Sequence, residues 1–400
     1  MAALLRGVFV VGAKRTAFGT FGGKAKDLTA THLGAIASKA ALESANVKPE
    51  LVNSVNFGCV IQASSKDGPY ISRHIALRCG VPNSVPCLTV NRLCGSGFQA
   101  VVTGSQEICL REAEIVLAGG AENMSQAPYA VRDMRFGTKF GTDYKLEDML
   151  WSSVYDTHID MPMAITAENL AEKYKISREE CDRFALLSQN RWKEAQEKGQ
   201  FKSEIVPIPL KIKGKEVLFD VDEHPRTQST MEGLAKLQPV FKKGGTVTAG
   251  NASGICDGAA AVVLASEDAV KANKLSPLVR IVGYSYVGVD PTIMGIGPAD
   301  AIKKLCENTG IKLNDVDLID INEAFAAQFL AVQKELNLDP SKINVNGGAI
   351  ALGHPVGASG ARIVGNLAYE LQSRKAKYGI GSACIGGGQG IAVMLENINL

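Results

Sequence analysis

Residues Ala41–Gly58, ALESANVKPELVNSVNFG, align without a gap on Leu305–Asn322, LCENTGIKLNDVDLIDIN. Glu43, Lys48 and Val52 fall on Glu307, Lys312 and Val316, while Val47, Val55 and Phe57 fall on Ile311, Ile319 and Ile321. Both copies read as a helix end, a turn and a strand. Further along, Thr89-Val90-Asn91 parallels Asn344-Val345-Asn346, each leading into a Gly-rich turn and a helix. Two matches in the same order predict two related α/β halves packed on each other. Such a pair places a shared site at its seam, beyond the carboxyl ends of the strands.

Outward from the repeat, short apolar β-rich runs alternate with Ala-rich helical stretches, the pattern of a largely buried sheet covered by helices. The strands expected are Val8–Gly12, Ser54–Gly58, Leu88–Asn91, Ile115–Ala118, Ala259–Ala265, Val279–Tyr284, Leu318–Asn322, Lys342–Val345, Tyr378–Ser382 and Gly390–Leu395. The run Leu4–Val11 reads as a first buried strand followed by a basic turn, Ala13-Lys14-Arg15-Thr16. The segment Met124–Asn251 differs in being richer in charge. In it Ser177-x-x-Glu180 is a capping box opening a helix with Cys181, Phe184, Ala185, Ser188, Trp192 and Ala195 on one face, ended by Gly199. Glu204–Asp222 reads as a solvent-facing ribbon. The expected partition is a first half of 1–123 with 252–273, an inserted loop domain 124–251, and a second half 274–400.

Composition narrows the function. The 400 residues are 46% hydrophobic and 21% charged, as in a globular protein. Lys+Arg 43 against Asp+Glu 41 argues against general nucleic-acid binding through a basic face. No apolar run approaches the roughly 18 residues of a membrane span. Nine scattered cysteines include no Cys-x-x-Cys pair, so zinc-ribbon, iron–sulfur and thioredoxin-like chemistry lack support and a reducing compartment fits. Forty-one glycines, about a tenth of the chain against a usual ~7%, point to close backbone approaches.

Four segments could carry chemistry. In Asn91-Arg92-Leu93-Cys94-Gly95-Ser96-Gly97 a strand ends and a helix starts near Cys94, where free amides and the helix dipole favour a thiolate. The competing reading is a small buried hydrophobe. In Gly353-His354-Pro355 the histidine is set to act as base on a nearby thiol, or is a turn histidine bonded to backbone. Ser382-Ala383-Cys384-Ile385-Gly386-Gly387-Gly388 lacks the Lys-Ser/Thr ending of a nucleotide P-loop and offers amides to an oxyanion, with Cys384 otherwise core filler. Asn322-Glu323-Ala324-Phe325 ends a strand and either serves a site or caps a helix.

Together, and in this order, these four segments resemble the thiolases; Thr248–Ser253 and Asp257-Gly258-Ala259 match that family's linker strand. The resemblance runs from Arg15-Thr16 to the last strand. It implies the thiolase fold, two duplicated βαβαβ-type halves in a layered α-β-α-β-α core with an inserted loop domain. It also implies an acyltransferase that cleaves 3-ketoacyl-CoA with CoA, giving acyl-CoA and acetyl-CoA. Cys94 would be the nucleophile, His354 its base and Cys384 the group exchanging a proton with carbon. Asn322, through a water, and His354 would hold the enolate oxygen, and the amides of Cys94 and Gly386 the tetrahedral one. CoA, a substrate rather than a cofactor, would be met by Arg226, Ser229 and Ser253; no metal is called for. Arg226 otherwise reads as an exposed loop arginine.

Pro162 stands where short-chain biosynthetic members tend to carry histidine, which leans the resemblance towards the degradative, β-oxidation branch. The alternatives are an acetoacetyl-CoA-specific enzyme, or hydrolysis of acyl-CoA as a side activity. The first 26 residues carry Arg6, Lys14, Arg15, Lys24 and Lys26 with no acid, which suits mitochondrial import through an uncleaved N-terminal strand into the matrix. The C-terminal Asn399-Leu400 is no peroxisomal address. The resemblance implies a homo-oligomer, dimer or tetramer, pairing through the first half's sheet.

Overall fold

In the computed structural model, which describes residues 4 and 6–400, the β-branched runs become strands, most of them buried on both faces. These are β1 (Val8–Thr16), β2 (Ser54–Gly58), β3 (Cys87–Val90), β4 (Ile115–Asn123), β5 (Cys256–Ser266), β6 (Val279–Gly288), β7 (Leu318–Ile321), β8 (Tyr378–Ile385) and β9 (Gln389–Glu396). The first half-sheet has the order β3-β2-β4-β5-β1 and the second β7-β8-β9-β6. In the first, β2 runs parallel to β3 and β4, while β5 is antiparallel to β4 and β1. In the second, β7 and β8 are parallel, and β9 is antiparallel to β8 and β6. Four strands of the first half, β2, β4, β5 and β1, recur in order and direction in the second as β7, β8, β9 and β6, as the aligned segments require. Val8–Val10 pair antiparallel with Val279–Ile281 and join them.

One repeat position departs from the expected strand set. Lys342–Val345 is reduced to a single bridge between Ile343 and Ile319. Asn344 stands at φ 44°, off the extended region, and its side chain bonds both the N–H and the C=O of Ile321 at 2.8 Å. The side chain thus replaces the ladder that backbone would have made.

The main helices are α1 (Ala30–Ser44), α2 (Ile71–Arg78), α3 (Ser96–Cys109), α4 (Met163–Lys173), α5 (Arg178–Glu197), α6 (Gly297–Thr309), α7 (Ala326–Leu336) and α8 (Ser359–Ser373). Three apolar cores result. Leu33 and Ile75 of α1 and α2 cover the first sheet over Phe57 and Leu117. Ile302 and Phe329 of α6 and α7 cover the second over Ile319 and Ile380. Between the sheets lie α3 and α8, with Phe98 and Val101 beside Ile363 and Val364. This is the α-β-α-β-α layering. The two central helices start in backbone contact: a Cβ on Gly97 would lie 2.6 Å from the nitrogen of Ala361, and one on Gly360 would lie 2.2 Å from that of Phe98. Only glycine permits that approach.

The insertion also follows its sequence signals. The Ser177–Glu180 capping box forms, the expected face of α5 is buried, and Gly199 ends it at φ 72°. Phe184 stacks on Phe329 at 4.3 Å, which holds α5 against the second half. The basic turn does not form: Ala13–Thr16 continues β1, and Arg15 is buried. Its guanidinium pairs with Asp222 at 2.6 Å and Glu204 at 2.7 Å, which lie at the two ends of the segment read as a ribbon. The hairpin Ile208–Ile212/Lys215–Phe219 between them faces solvent. Buried charge of one sign drew in the other. No helix among the described residues is long and apolar enough to cross a membrane.

Candidate active site

At the end of β3 the chain makes a strained turn. The Asn91 carboxamide oxygen accepts from the N–H of Leu93 at 3.0 Å, and Leu93 takes φ 45°, a left-handed value that side chains resist. Ser96 accepts from the N–H of Arg92 at 2.9 Å and donates to the carbonyl of Leu93 at 2.7 Å, locking the turn. Cys94 is thereby presented half-buried at the seam, while α3 begins two residues later than expected. Burial pushes its thiol up to about 11; the amides of Gly386 and of Cys94 itself oppose this, and the Glu122 carboxylate adds to it. The thiolate favoured by the helix start is therefore outweighed by desolvation.

The base candidate is fixed as firmly. Gly353 has φ 99°, and a Cβ there would come 2.0 Å from the sulfur of Cys256, so the turn requires glycine. The N–H of His354 donates to Gly254 O at 2.9 Å. Burial, with the Arg362 guanidinium, lowers the imidazole to about 3. Its Nδ1 lies 2.6 Å from Ser359 Oγ, and that hydroxyl donates to Pro355 O at 3.1 Å. With the hydroxyl proton so engaged, Nδ1 carries the ring proton and Nε2 is left as a lone pair. Asn322 Nδ2 points at Nε2 from 3.3 Å, consistent with that tautomer, and Asn322 Oδ1 is buried without a partner among the described residues.

Cys384 closes the group at the end of β8. It is fully buried, in an apolar cluster with Met294, Ala324, Met163 and Phe325. Burial and the nearness of Cys94 both push its thiol up. Gly386 follows at once in the turn to β9, where Gly387 and Gly388 take φ 76° and 82°. The structure thus gathers Cys94, His354, Asn322, Cys384 and Gly386 at the seam of the halves. Burial favours the neutral form of the Cys94 thiol and of the His354 imidazole alike.

Two carboxylates hold these loops: Glu122, which sequence reading passed over, and Glu323, which it read as a site residue or a helix cap. Glu122, fully buried, accepts from the amides of Val60 (3.0 Å), Ile61 (2.9 Å) and Gly357 (3.0 Å), so it ties the first half to the turn after His354. Burial raises its carboxyl and those amides pull it back. Glu323 accepts from Ser188 at 2.7 Å, Asn344 at 2.9 Å and the Ile350 amide at 3.1 Å, joining the insertion to the second half rather than capping a helix. An acid inside the buried apolar run Ile115–Asn123 was the available signal for Glu122.

Arg226 and Ser229 line a cavity of about 720 Å³ with His224, Leu234 and Gly250. Burial, then the Arg226 charge, lowers His224 to about 4. Ser253 stands apart from this lining. Its amide donates to Ala324 O at 3.0 Å, beside the catalytic candidates. Pro162 is half-buried and starts α4. A second cavity of about 760 Å³ is lined by Val60, Ile61, Met149, Trp151 and Tyr155.

Comparison with known proteins gives two family matches: the N-terminal domain of thiolase over residues 8–268 and the C-terminal domain over residues 275–397. The mitochondrial 3-ketoacyl-CoA thiolase of Bos taurus is 62% identical over 395 residues, 99% of each chain. An acetyl-CoA acetyltransferase of Syntrophomonas wolfei is 46% identical, over 98% of this chain and 100% of its own. The crystal structure of human mitochondrial 3-ketoacyl-CoA thiolase in complex with CoA superposes with a TM-score of 0.96, at 61% identity and 99% coverage of both chains.

Proposed function

The chain belongs to the thiolase family, and from that premise we propose that it is a 3-ketoacyl-CoA thiolase that cleaves its substrate with CoA to acyl-CoA and acetyl-CoA in fatty-acid β-oxidation. The observation that carries the reading is the meeting of two thiols and a neutral imidazole at one seam.

Cys94 attacks the 3-keto carbon as His354 Nε2 takes the thiol proton. The bond between the α-carbon and the keto carbon breaks, leaving the acyl group on Cys94 and an acetyl-CoA enolate. Cys384 protonates that carbon. The CoA thiol then gives its proton to the Cys384 thiolate and attacks acyl-Cys94. The Cys94–acyl bond breaks, acyl-CoA is freed, and the His354 imidazolium returns its proton to the Cys94 sulfur. The Gly386 and Cys94 amides face the tetrahedral oxyanion, and Asn322 with His354 the enolate oxygen; preorganised donors of this kind are worth about 3–4 kcal/mol each. No step calls for a metal. Arg226, Ser229 and Ser253 mark a path for CoA from the 720 Å³ cavity inward.

The names of the relatives support a mitochondrial enzyme, and the basic N-terminus an uncleaved import signal into the matrix. Residues 1–3 and 5 of that segment lie outside the described residues. The outer edge of β3, with Leu88 exposed, supports pairing of two copies through the first half-sheet, as a dimer or a dimer of dimers.

The test is CoA-dependent cleavage of 3-ketoacyl-CoAs from acetoacetyl to long chain, with Cys94→Ala as control. Turnover of medium and longer chains that the substitution abolishes is expected. Cleavage of acetoacetyl-CoA alone would move the protein to the short-chain branch. Absence of cleavage at any length would overturn the thiolase reading.

A further inference from the structure

One step behind Asn322 and Ser359 lies a buried pair of opposite charges that the chemistry just described does not use. The Arg362 guanidinium donates to the Asp320 carboxylate at 2.9 Å, and both side chains are almost wholly buried. Asp320 Oδ1 and Arg362 Nε have no partner among the described residues. A buried pair held by one bond, with a polar atom left over on each side, is a poor device for stability, because desolvating two charges costs more than so sparse a contact returns.

Its place in the fold gives it another use. Side chains two apart on a strand share a face, as do those three or four apart on a helix. Leu318 of β7 packs with Ile363 and Leu367 of α8 in the central core, so Asp320 faces the same layer. Asn322 follows on that face one residue past the end of β7, its N–H still bonded to Ser382 O at 2.9 Å. On α8, Ser359 and Arg362 stand one turn apart. Asn322 reaches His354 Nε2, and Ser359 reaches His354 Nδ1. The ion pair therefore closes a ring. Asn322, His354 and Ser359 form its upper span, β7 and α8 its sides, and Asp320 with Arg362 its lower span. The sides are short, about 6.6 Å along the strand and about 4.5 Å along the helix, so any slack in the lower span is passed to the upper one.

We infer that Arg362, acting through Asp320, is a positioning residue: their ion pair sets the spacing of β7 and α8, and with it the distance from Asn322 to His354, the two groups that face the enolate oxygen. The inference rests on the thiolase reading and adds the residues that align its enolate site. The Arg362 charge reaches the same ring, since after burial it is what lowers the imidazole. Cys94 stands outside the ring, on a turn held by Asn91 and Ser96. The enolate step should therefore depend on the pair, and the reactivity of the Cys94 thiol should not.

The test uses the double variant Asp320→Leu/Arg362→Met, which puts apolar side chains in place of the pair and strands no charge, and Arg362→Lys, which keeps the charge on a differently shaped arm. Exchange of the acetyl-CoA methyl protons in deuterium oxide reports enolate formation, alkylation by iodoacetamide reports Cys94, and the urea midpoint reports the fold. In the double variant exchange and the kcat for thiolysis are expected to fall roughly 10- to 100-fold, with KM and the alkylation rate within about twofold of wild type. Arg362→Lys is expected to recover part of that loss. A pair that served only stability would change exchange and alkylation together or leave both alone. Should the double variant fail to fold, Arg362→Lys decides alone, through a loss of exchange at unchanged alkylation. Exchange at the wild-type rate in the folded variant, or exchange and alkylation falling in step, overturns the proposal while the thiolase reading stands. A wild type that cleaves no 3-ketoacyl-CoA overturns that reading, and the proposal with it.

Discussion

His354 Nδ1 and Ser359 Oγ are 2.6 Å apart, and the serine hydroxyl donates its own hydrogen bond to Pro355 O. One hydroxyl therefore fixes which ring nitrogen carries the proton and leaves the other as a lone pair toward Asn322. Replacing Ser359 with Ala leaves Nδ1–H unpaired in a buried site and frees the ring to tautomerise. We expect kcat to fall roughly 10- to 100-fold, as for other residues that orient a functional histidine, with KM little changed. A kcat within twofold of wild type would show that the tautomer is held by other means.

Cys94 is a thiol at rest, with its pKa raised to about 11. Thiolate, the species that alkylating agents trap, should grow with pH up to that value. The rate of inactivation by iodoacetamide is expected to climb roughly tenfold per unit between about pH 7 and 9. A plateau near neutrality would instead reveal a standing thiolate–imidazolium pair.

Arg15 is the buried cation between Asp222 and Glu204, and Asp222 also receives the Trp192 indole N–H at 3.2 Å and the Phe18 amide at 2.8 Å. Arg15→Ala strands two carboxylates in the interior. Loss of one partner of such a group costs about 3–5 kcal/mol. The urea midpoint should drop accordingly, and a shift under 1 kcal/mol (roughly the value of a surface pair) would refute the buried role.

Acid should weaken the fold through its histidines. His354 and His224 are lowered to about 3 and about 4, against about 6.5 in an unfolded chain. Their depressed values are harmless above pH ~6.5, where neither state is protonated. Below it the unfolded chain takes up protons that the fold refuses, at about 1.4 kcal/mol per unit of separation. The buried carboxyls Glu122 and Glu323, raised by burial, act in the opposite sense, so the comparison must be variant against wild type. The urea midpoint of His354→Asn should fall less steeply between pH 6.5 and 4 than that of wild type; parallel curves would contradict the assignment.

The layered fold was legible because duplication writes itself twice: the helix-turn-strand of Ala41–Gly58 and Leu305–Asn322 needed only mutual alignment. Cys94 and Cys384 were legible because each sits at a strand end beside a Gly-rich turn, whereas Asn322, in a turn without glycine, and His354, after a short helix, were legible from the order of the four segments. Illegible features were those decided by distant partners. Arg15 reads as a turn cation until Glu204 and Asp222, some two hundred residues away, are seen to neutralise it. Asn344 looks like a strand residue until its side chain is found on Ile321. Cys94 promises a low pKa from its helix, yet desolvation, which no local pattern records, prevails. Glu122 was visible only as an acid in an apolar run, and its amide partners come from both halves.

The position of β5 has a consequence for biosynthesis. It lies between β1 and β4, yet the whole insertion separates it from β4 in the chain. A polypeptide emerging N-terminus first therefore displays both flanking strands with an empty slot between them. At roughly 5–20 residues per second, the slot stays open for on the order of ten seconds or more before Ser266 is made. For that interval two apolar strand edges stand unpaired, so shielding of the nascent chain is demanded by strand order alone.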